Sequence, residues 1–414
     1  MQDDIKPPQP NRYIPAPTPK PHEHYSQPVP EEVINEADLE PSAKKRRVLI
    51  APHKHFIRFW RWWLSLSKNL RFGIISVALL LFGVGAVLWF AFVQPSSDPS
   101  IQVIKHAKPK PKAPTTVASP LTGLQIAPDL AKRPVTGIMI ENSLDARPQS
   151  GIQDAGVIFE AIAEGGITRF LTLYQDSSPQ YIGPVRSLRP YYIDWGTPFD
   201  AGIAHVGGSP AALSQIRSSG KDLDQFFNSG SYWRSSARPA PHNVYTSFAK
   251  LDALNQSKGY TSSNYTSWVR KTDKALKVPT AKSIDVSISS FYFNSHYDWD
   301  VVSNSYLRSE GGKPHTVTLS ESDTTGQQLK PKVVIVMVMG YGIDPDGQHS
   351  DYTTSGSGTA YIFQDGGVTQ GTWNKADRSA QLSFADTNGA IIKLNAGQTW
   401  IAAVDGDNKV TYAP

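Results

Sequence analysis

From Phe72 to Val93 the chain reads FGIISVALLLFGVGAVLWFAFV, 22 residues without a charge. At ~1.5 Å per residue this run makes a helix of about 33 Å, enough to cross a hydrocarbon core of ~30 Å with slight tilt. A helix half-buried in a globular core would carry a polar stripe, and this one has none. Trp60, Trp62 and Trp63, interleaved with Arg58 and Arg61, precede the run, and Trp89 lies near its far end. That is the aromatic and basic belt of a membrane interface. The run starts after 71 residues and no small-x-small site follows it. It therefore reads as an uncleaved single-pass anchor, with the membrane as a partner through residues 72–93.

The span divides the rest. Residues 1–50 hold ten prolines among polar residues and cannot bury enough apolar surface to offset ordering, so a disordered tail is expected. Residues 51–71 form a basic, aromatic juxtamembrane segment. Residues 94–118, with KHAKPKPKAPTT, form a Pro/Lys linker whose composition suits a solvated spacer. Lys and Arg against Asp and Glu number 12 and 8 over residues 1–71, 4 and 1 over 95–118, and 25 and 27 beyond. The basic charge belongs to the flanks of the span, including the KKRR run at Lys44–Arg47. The slightly acidic remainder lacks the basic face that nucleic-acid binding needs. Arg71 abuts the span, whereas the first basic residue beyond it is Lys105. This asymmetry predicts a cytoplasmic N-terminus and an extracytoplasmic globular part. With no cysteine in the chain, disulfides, thiolate nucleophiles and lipid-modified cysteine are excluded.

The globular part should be an α/β (α+β) layered sandwich. A mixed α/β domain is expected over 119–280 and a smaller β-rich one over 281–414. VTGIMIE, GVIFEAIA, RFLTLYQ and GIAHV read as strands. Ser209 with Pro210, and Ser247, read as starts of helices that end at Gly220 and Gly259. Beyond Ser283, six apolar runs from SIDVSIS to TWIAAVDGD are punctuated by Gly, Asn and Asp as hairpins require.

Arginine usage is the sharpest chemical signal. Residues 133–238 contain eight Arg and one Lys, whereas three Arg and twelve Lys follow. Guanidinium suits planar recognition of carboxylate or phosphate, although each arginine could instead pair with an internal acid. GPVRSLRP holds Arg186 and Arg189 between two prolines, and EGGITRF sets Glu164 and Arg169 about a Gly-Gly turn. HVGGSP joins a strand ending at His205 to a helix capped by Ser209, a junction that aims backbone N–H groups at an anion. RPAPHNVYTS adds His242 and Asn243. Ligand contacts are expected from Arg147, Arg169, Arg186, Arg189, His205, Ser209 and Asn243. Glu164 and His242 are the only candidates for acid–base work. No histidine falls at metal-ligand spacing, and no cofactor motif is present.

RPVTGIMIEN, ARPQSG, EAIAEGGITRF, GPVRSLRPYYID, HVGGSP, APHNVYT and the later GTAYIF, DGG, GTW and GQTWI resemble the YerB-like family of bacterial envelope proteins. The resemblance covers roughly residues 120–410. It implies an α/β domain followed by a smaller β-rich one and a place at a bacterial plasma membrane, and it carries no reaction. Family members are often lipoproteins, and here an apolar helix stands in place of the lipidated cysteine. IEN at 140–142 replaces the more usual Asp before Asn, so any acidic role is shifted to Glu141 or lost. The expected function is binding of an anionic envelope ligand in the Arg-rich cleft. The alternatives are an enzyme acting on phosphate-linked wall or lipid-carrier substrates and a structural adaptor for an envelope protein.

Overall fold

The structure, a computed structural model, describes residues 54–92, 115–323 and 326–414. The expected tail over 1–50 and most of the linker lie outside the described residues. The described residues fall into two units, one holding residues 54–92 and the other those from 115 onward.

Within the first unit, helix α1 spans Lys54–Ser65 and α2 spans Lys68–Phe92. The 25 residues of α2 are long and apolar enough to cross a membrane, and none is buried. Arg71 reaches back to the end of α1. Its Nε donates to the Leu66 carbonyl at 2.9 Å and its Nη2 to the Leu64 carbonyl, satisfying acceptors that a helix end leaves unpaired.

The second unit is built on strands. Its earlier part supplies β1 (Thr136–Glu141), β2 (Val157–Glu164), β3 (Ile167–Tyr174), β4 (Gly202–His205) and β5 (Lys221–Asp224). Its later part supplies β6 (Ser283–Val286), β7 (Ser295–Asp300), β8 (Ser305–Glu310), β9 (Lys313–Pro314) and β10 (Val333–Val338). These are followed by β11 (Gly356–Gln364), β12 (Gly367–Lys375), β13 (Ser383–Asp386), β14 (Thr399–Val404) and β15 (Val410–Ala413). Ten strands make one sheet in the order β13-β12-β11-β10-β14-β2-β3-β1-β4-β5. Five come from each part, joined where β14 runs parallel to β2 with Thr399 opposite Val157 and Ala402 opposite Glu160. A second sheet runs β9-β8-β7-β6-β15.

Alternation along the strands sends side chains to both faces, and both faces are covered. On one, Phe159, Leu171 and Ile203 pack against Tyr192 and Trp195 of α3 (Pro190–Gly196) and Ile216 of α4 (Pro210–Ser219). On the other, Ile138, Ile158 and Phe170 meet Phe248 and Leu251 of α5 (Phe248–Ser257). Along the same face, Val334, Val336 and Ala402 meet Ile284, Tyr297 and Tyr306 of the second sheet. Each fully buried large apolar side chain contributes ~1.5–3 kcal/mol. The result is the expected α/β layered sandwich: helices, ten-stranded sheet, then α5 beside the second sheet. Two coverings explain why the central strands read as unbroken apolar runs.

Two local readings change. Pro190 is the first residue of α3 rather than the far end of a stiff loop. GAIIKLNAG, read as a strand, forms a two-residue strand at Leu394–Asn395, beside Arg270–Lys271, and a single bridge from Ile391 to Ala385, and its Ile391 stays exposed.

Candidate functional site

Strand β1 lies between β3 and β4, so the chain order reverses across it. In open α/β sheets, ligands collect beyond the carboxyl ends of strands at such a reversal. Glu141 ends β1, Glu164 ends the parallel β2, and His205 and Asp224 end β4 and β5. The charged residues anticipated from the sequence gather at this edge, though in separate clusters.

The β2–β3 turn is made by Gly165 and Gly166, both at positive φ (58° and 76°), which only glycine adopts freely. It returns the chain so that Arg169 points back at Glu164. Arg169 Nη2 donates to Glu164 Oε1 at 2.9 Å, and Arg189 holds Oε2 through Nε at 3.1 Å and Nη2 at 2.6 Å. Burial acts to raise the Glu164 pKa, but the two arginines outweigh it and hold the carboxyl below its ordinary range. A base so held abstracts protons poorly near neutrality. Burial, and then Arg169, lower the Arg189 pKa. One carboxylate thus serves two guanidinium groups, leaving one positive charge in excess.

Around Glu141, His242 Nδ1 lies 3.0 Å from Oε1, and Ser143 Oγ donates to the same oxygen at 3.1 Å. Ser143 Oγ is also 3.2 Å from His242 Nδ1. A nucleophilic relay requires serine and acid hydrogen-bonded to opposite ring nitrogens; here Glu141 and Ser143 share Nδ1, and the acid on the other side, Asp145 Oδ2, stands 3.9 Å from Nε2, beyond hydrogen-bonding distance. Arg186 Nε stands 3.2 Å from Glu141 Oε1, outside hydrogen-bonding geometry, and Nε and Glu141 Oε2 are both buried without a hydrogen-bond partner. The Arg186 side chain is 27% exposed. The other seven arginines between 133 and 238 donate hydrogen bonds within the protein.

The β4–α4 junction already holds its anion. Gly207 N–H donates to Asp224 Oδ1 at 3.0 Å, and fully buried His205 sits between Asp222 (Nε2 to Oδ1, 3.1 Å) and Asp224 (Nδ1 to Oδ1, 3.8 Å). Burial works to raise the Asp222 pKa, but the His205 contact and the Asp224 amide bring it below its ordinary range. Ser209 Oγ accepts from Ala212 N–H at 3.3 Å, a helix cap. Ser209→Ala is expected to cost about 1 kcal/mol, read from the midpoint of urea unfolding. Asn243 Oδ1 accepts from Arg234 Nη1 at 2.7 Å.

Arg147 stands apart from these. Glu141 and Asn142 project to opposite faces of the sheet, and Arg147 follows Asn142: Nε donates to Asn142 Oδ1 at 3.1 Å and Nη2 lies 3.2 Å from Glu310 Oε1. Burial, partly offset by Glu310, lowers its pKa. Behind it is a charged network absent from the sequence-based candidates. Arg308, fully buried, donates through Nη2 to Glu160 Oε1 and Oε2 at 3.0 and 2.9 Å, and its Nη1 lies 3.3 Å from Glu310 Oε2. Its guanidinium carbon sits 4.3 Å from the Trp400 ring centroid, and Trp400 Nε1 donates to Glu160 Oε2 at 2.8 Å. Burial alone would lower the Arg308 pKa, but Glu160 and Glu310 raise it further than burial lowers it. His315 donates from Nε2 to Gln149 Oε1 at 2.9 Å and accepts at Nδ1 from Arg308. Burial, then the charges of Arg308 and Arg147, push its pKa well below the usual histidine value.

The comparisons agree with this architecture. The N-terminal domain of a protein family of unknown function, DUF3048, matches residues 121–261, and the family's C-terminal domain matches residues 284–401. A Bacillus subtilis protein, YerB, whose name marks it as a candidate lipoprotein, is 30% identical over 312 residues, covering 73% of this chain and 88% of its own. The crystal structure of Bacillus subtilis YerB superposes with a TM-score of 0.65 at 26% identity, covering 72% of this chain and 100% of that one. The chain belongs to the YerB-like family, whose function is unknown.

Proposed function

We propose that this protein is a membrane-tethered binding module of the bacterial envelope. Its α2 helix replaces a lipid anchor, with the N-terminus in the cytoplasm and the sandwich outside. It holds an anionic, phosphate- or carboxylate-bearing ligand at the carboxyl edge of the ten-stranded sheet. The relative's name points to attachment through lipid; this chain has no cysteine to carry one, and its apolar helix supplies an equivalent tether. The observation that carries the binding reading is Arg186. It is partly solvent-accessible and, alone among the arginines of its segment, donates no side-chain hydrogen bond among the described residues, its ion pair being with Glu141. It adjoins the Arg169–Glu164–Arg189 cluster with its excess positive charge, at the switch point of the sheet. The enzyme reading is weaker, since Glu164 is tied up by two arginines and Ser143 and His242 are not arranged as a relay.

Titration of the full chain in neutral detergent with inorganic phosphate, pyrophosphate and succinate tests this. Arg186→Gln is expected to weaken the tightest of the three by tenfold or more, the loss of one charge-assisted contact, with the urea midpoint unchanged. Equal binding by both proteins, or unfolding of the variant, would sink the proposal.

A further inference from the structure

A pocket of about 470 Å³ opens between the loop carrying Leu144 and Arg147 and the β8–β9 hairpin carrying Glu310 and Lys313. Its walls are apolar and its floor is charged. Leu144 and Tyr292 are 51% and 55% exposed at the rim, an unusual position for an aliphatic and an aromatic group to hold together. The adjacent Phe291 ring meets Tyr292 edge-on with centroids 5.7 Å apart and is itself exposed. Below them, Arg147 and Glu310 line the pocket beside His315.

The charges on the floor cancel. Arg147 and Arg308 face Glu310 and Glu160, and His315 is held neutral between Arg308 and Gln149. The floor matches its own charges, whereas the Arg169–Glu164–Arg189 cluster at the carboxyl edge holds one positive charge in excess. Neutral balance does not make the floor inert. Arg147 uses Nε, Nη2 and one Nη1 hydrogen, the last to the Tyr292 carbonyl at 2.9 Å, so one guanidinium hydrogen stays open. Lys313 is exposed at the lip. Gly311 and Gly312, both at positive φ (57° and 73°), turn the hairpin without side chains that would fill the opening.

A ligand for such a pocket must offer an apolar face to an aromatic ring and hydroxyl or amide groups to a neutral polar floor at the same time. A sugar ring does both: its C–H face stacks on aromatic carbon while its equatorial groups hydrogen-bond to charged side chains. The buried ion pairs hold the floor rigid, so little ordering cost falls on binding. We infer that this pocket is a saccharide site, taking one unit of an N-acetylated envelope glycan with its ring against Tyr292 and its polar groups toward Arg147 and Lys313. This assignment is independent of the anion site at Arg186.

The test is isothermal titration of the full chain in detergent with the tetrasaccharide of N-acetylglucosamine, alongside inorganic phosphate. Binding in the range expected for a single sugar subsite, Kd about 0.1–5 mM, should weaken at least fivefold in Tyr292→Ala, whose side chain is exposed and whose loss leaves the fold intact. Lys313→Gln should weaken it by less. Arg186→Gln should leave it unchanged, so failure of the anion reading and failure of this one are told apart. No binding up to about 10 mM by folded protein, binding indifferent to Tyr292→Ala, or loss of binding in Arg186→Gln would each overturn the assignment.

Discussion

Arg308→Ala is expected to lower unfolding free energy by about 3–5 kcal/mol, the cost of leaving a buried carboxylate without its cation. Two carboxylates are affected here, Glu160, fully buried, and Glu310, nearly so. Against a typical total of ~5–15 kcal/mol, that is a large fraction of stability, and a fall in Tm of about 10 °C is expected. Arg308→Lys should recover only part of it. An ammonium cannot span both oxygens of Glu160 while also reaching Glu310, and it forfeits the planar stacking on Trp400. Urea unfolding followed by tryptophan fluorescence reads both variants. Near-wild-type stability of Arg308→Ala would mean that the network is not held as described.

The second large effect is on pH. His315 has a folded pKa well below its ordinary value, so below about pH 6.5 the unfolded chain takes up a proton that the folded chain refuses. Stability contributed by this group is present above pH 6.5 and is lost as pH falls through the window below it, by about 1.4 kcal/mol per pH unit for one proton. Glu164 and Asp222 have depressed folded pKa values. They add a loss of the same sign, beginning nearer pH 4.5 where carboxylates titrate. His296, raised by Asp285 and Asp298 against the opposing effect of burial, acts the other way: its contribution is present below pH 6.5 and disappears as pH rises through its folded pKa. His315→Gln should therefore flatten the stability profile between about pH 5 and 6.5 while lowering its plateau. A profile of unchanged slope would show that His315 is protonated in the folded protein.

Sequence reading recovered what apolar periodicity and caps encode. Strands β1 to β4 fall within two residues of the expected runs, and the serines expected to cap helices at 209 and 247 both accept from backbone N–H groups. It missed β8, SYLRSE, for a physical reason. Tyr306, Arg308 and Glu310 alternate inward, all three buried, so the buried positions carry charge and the pattern of two is hidden. Strand β5, KDLD, is missed likewise, because its Asp224 is the internal anion of the β4–α4 turn. The same cause limits the site. Arginine enrichment is visible in one dimension, but which acid neutralises each arginine depends on partners far away, such as Arg147 with Glu310 and Arg308 with Glu160, the latter separated by 148 positions. Only after those pairings are known does Arg186 stand out.

The seam where β14 lies beside β2 sets a timetable for biogenesis. Glu160 and Trp400, which meet there, are 240 positions apart, and loop closure over such a distance makes the pairing late and slow. Until the last residues arrive, β2 presents an unpaired apolar edge, the kind of surface that recruits wrong partners. A chain emerging N-terminus first must hold that edge open through most of its synthesis. A truncation removing only β14 and β15 would therefore be more prone to aggregate than its few missing residues suggest, and folding of the sandwich is expected to depend on factors that shield nascent strands.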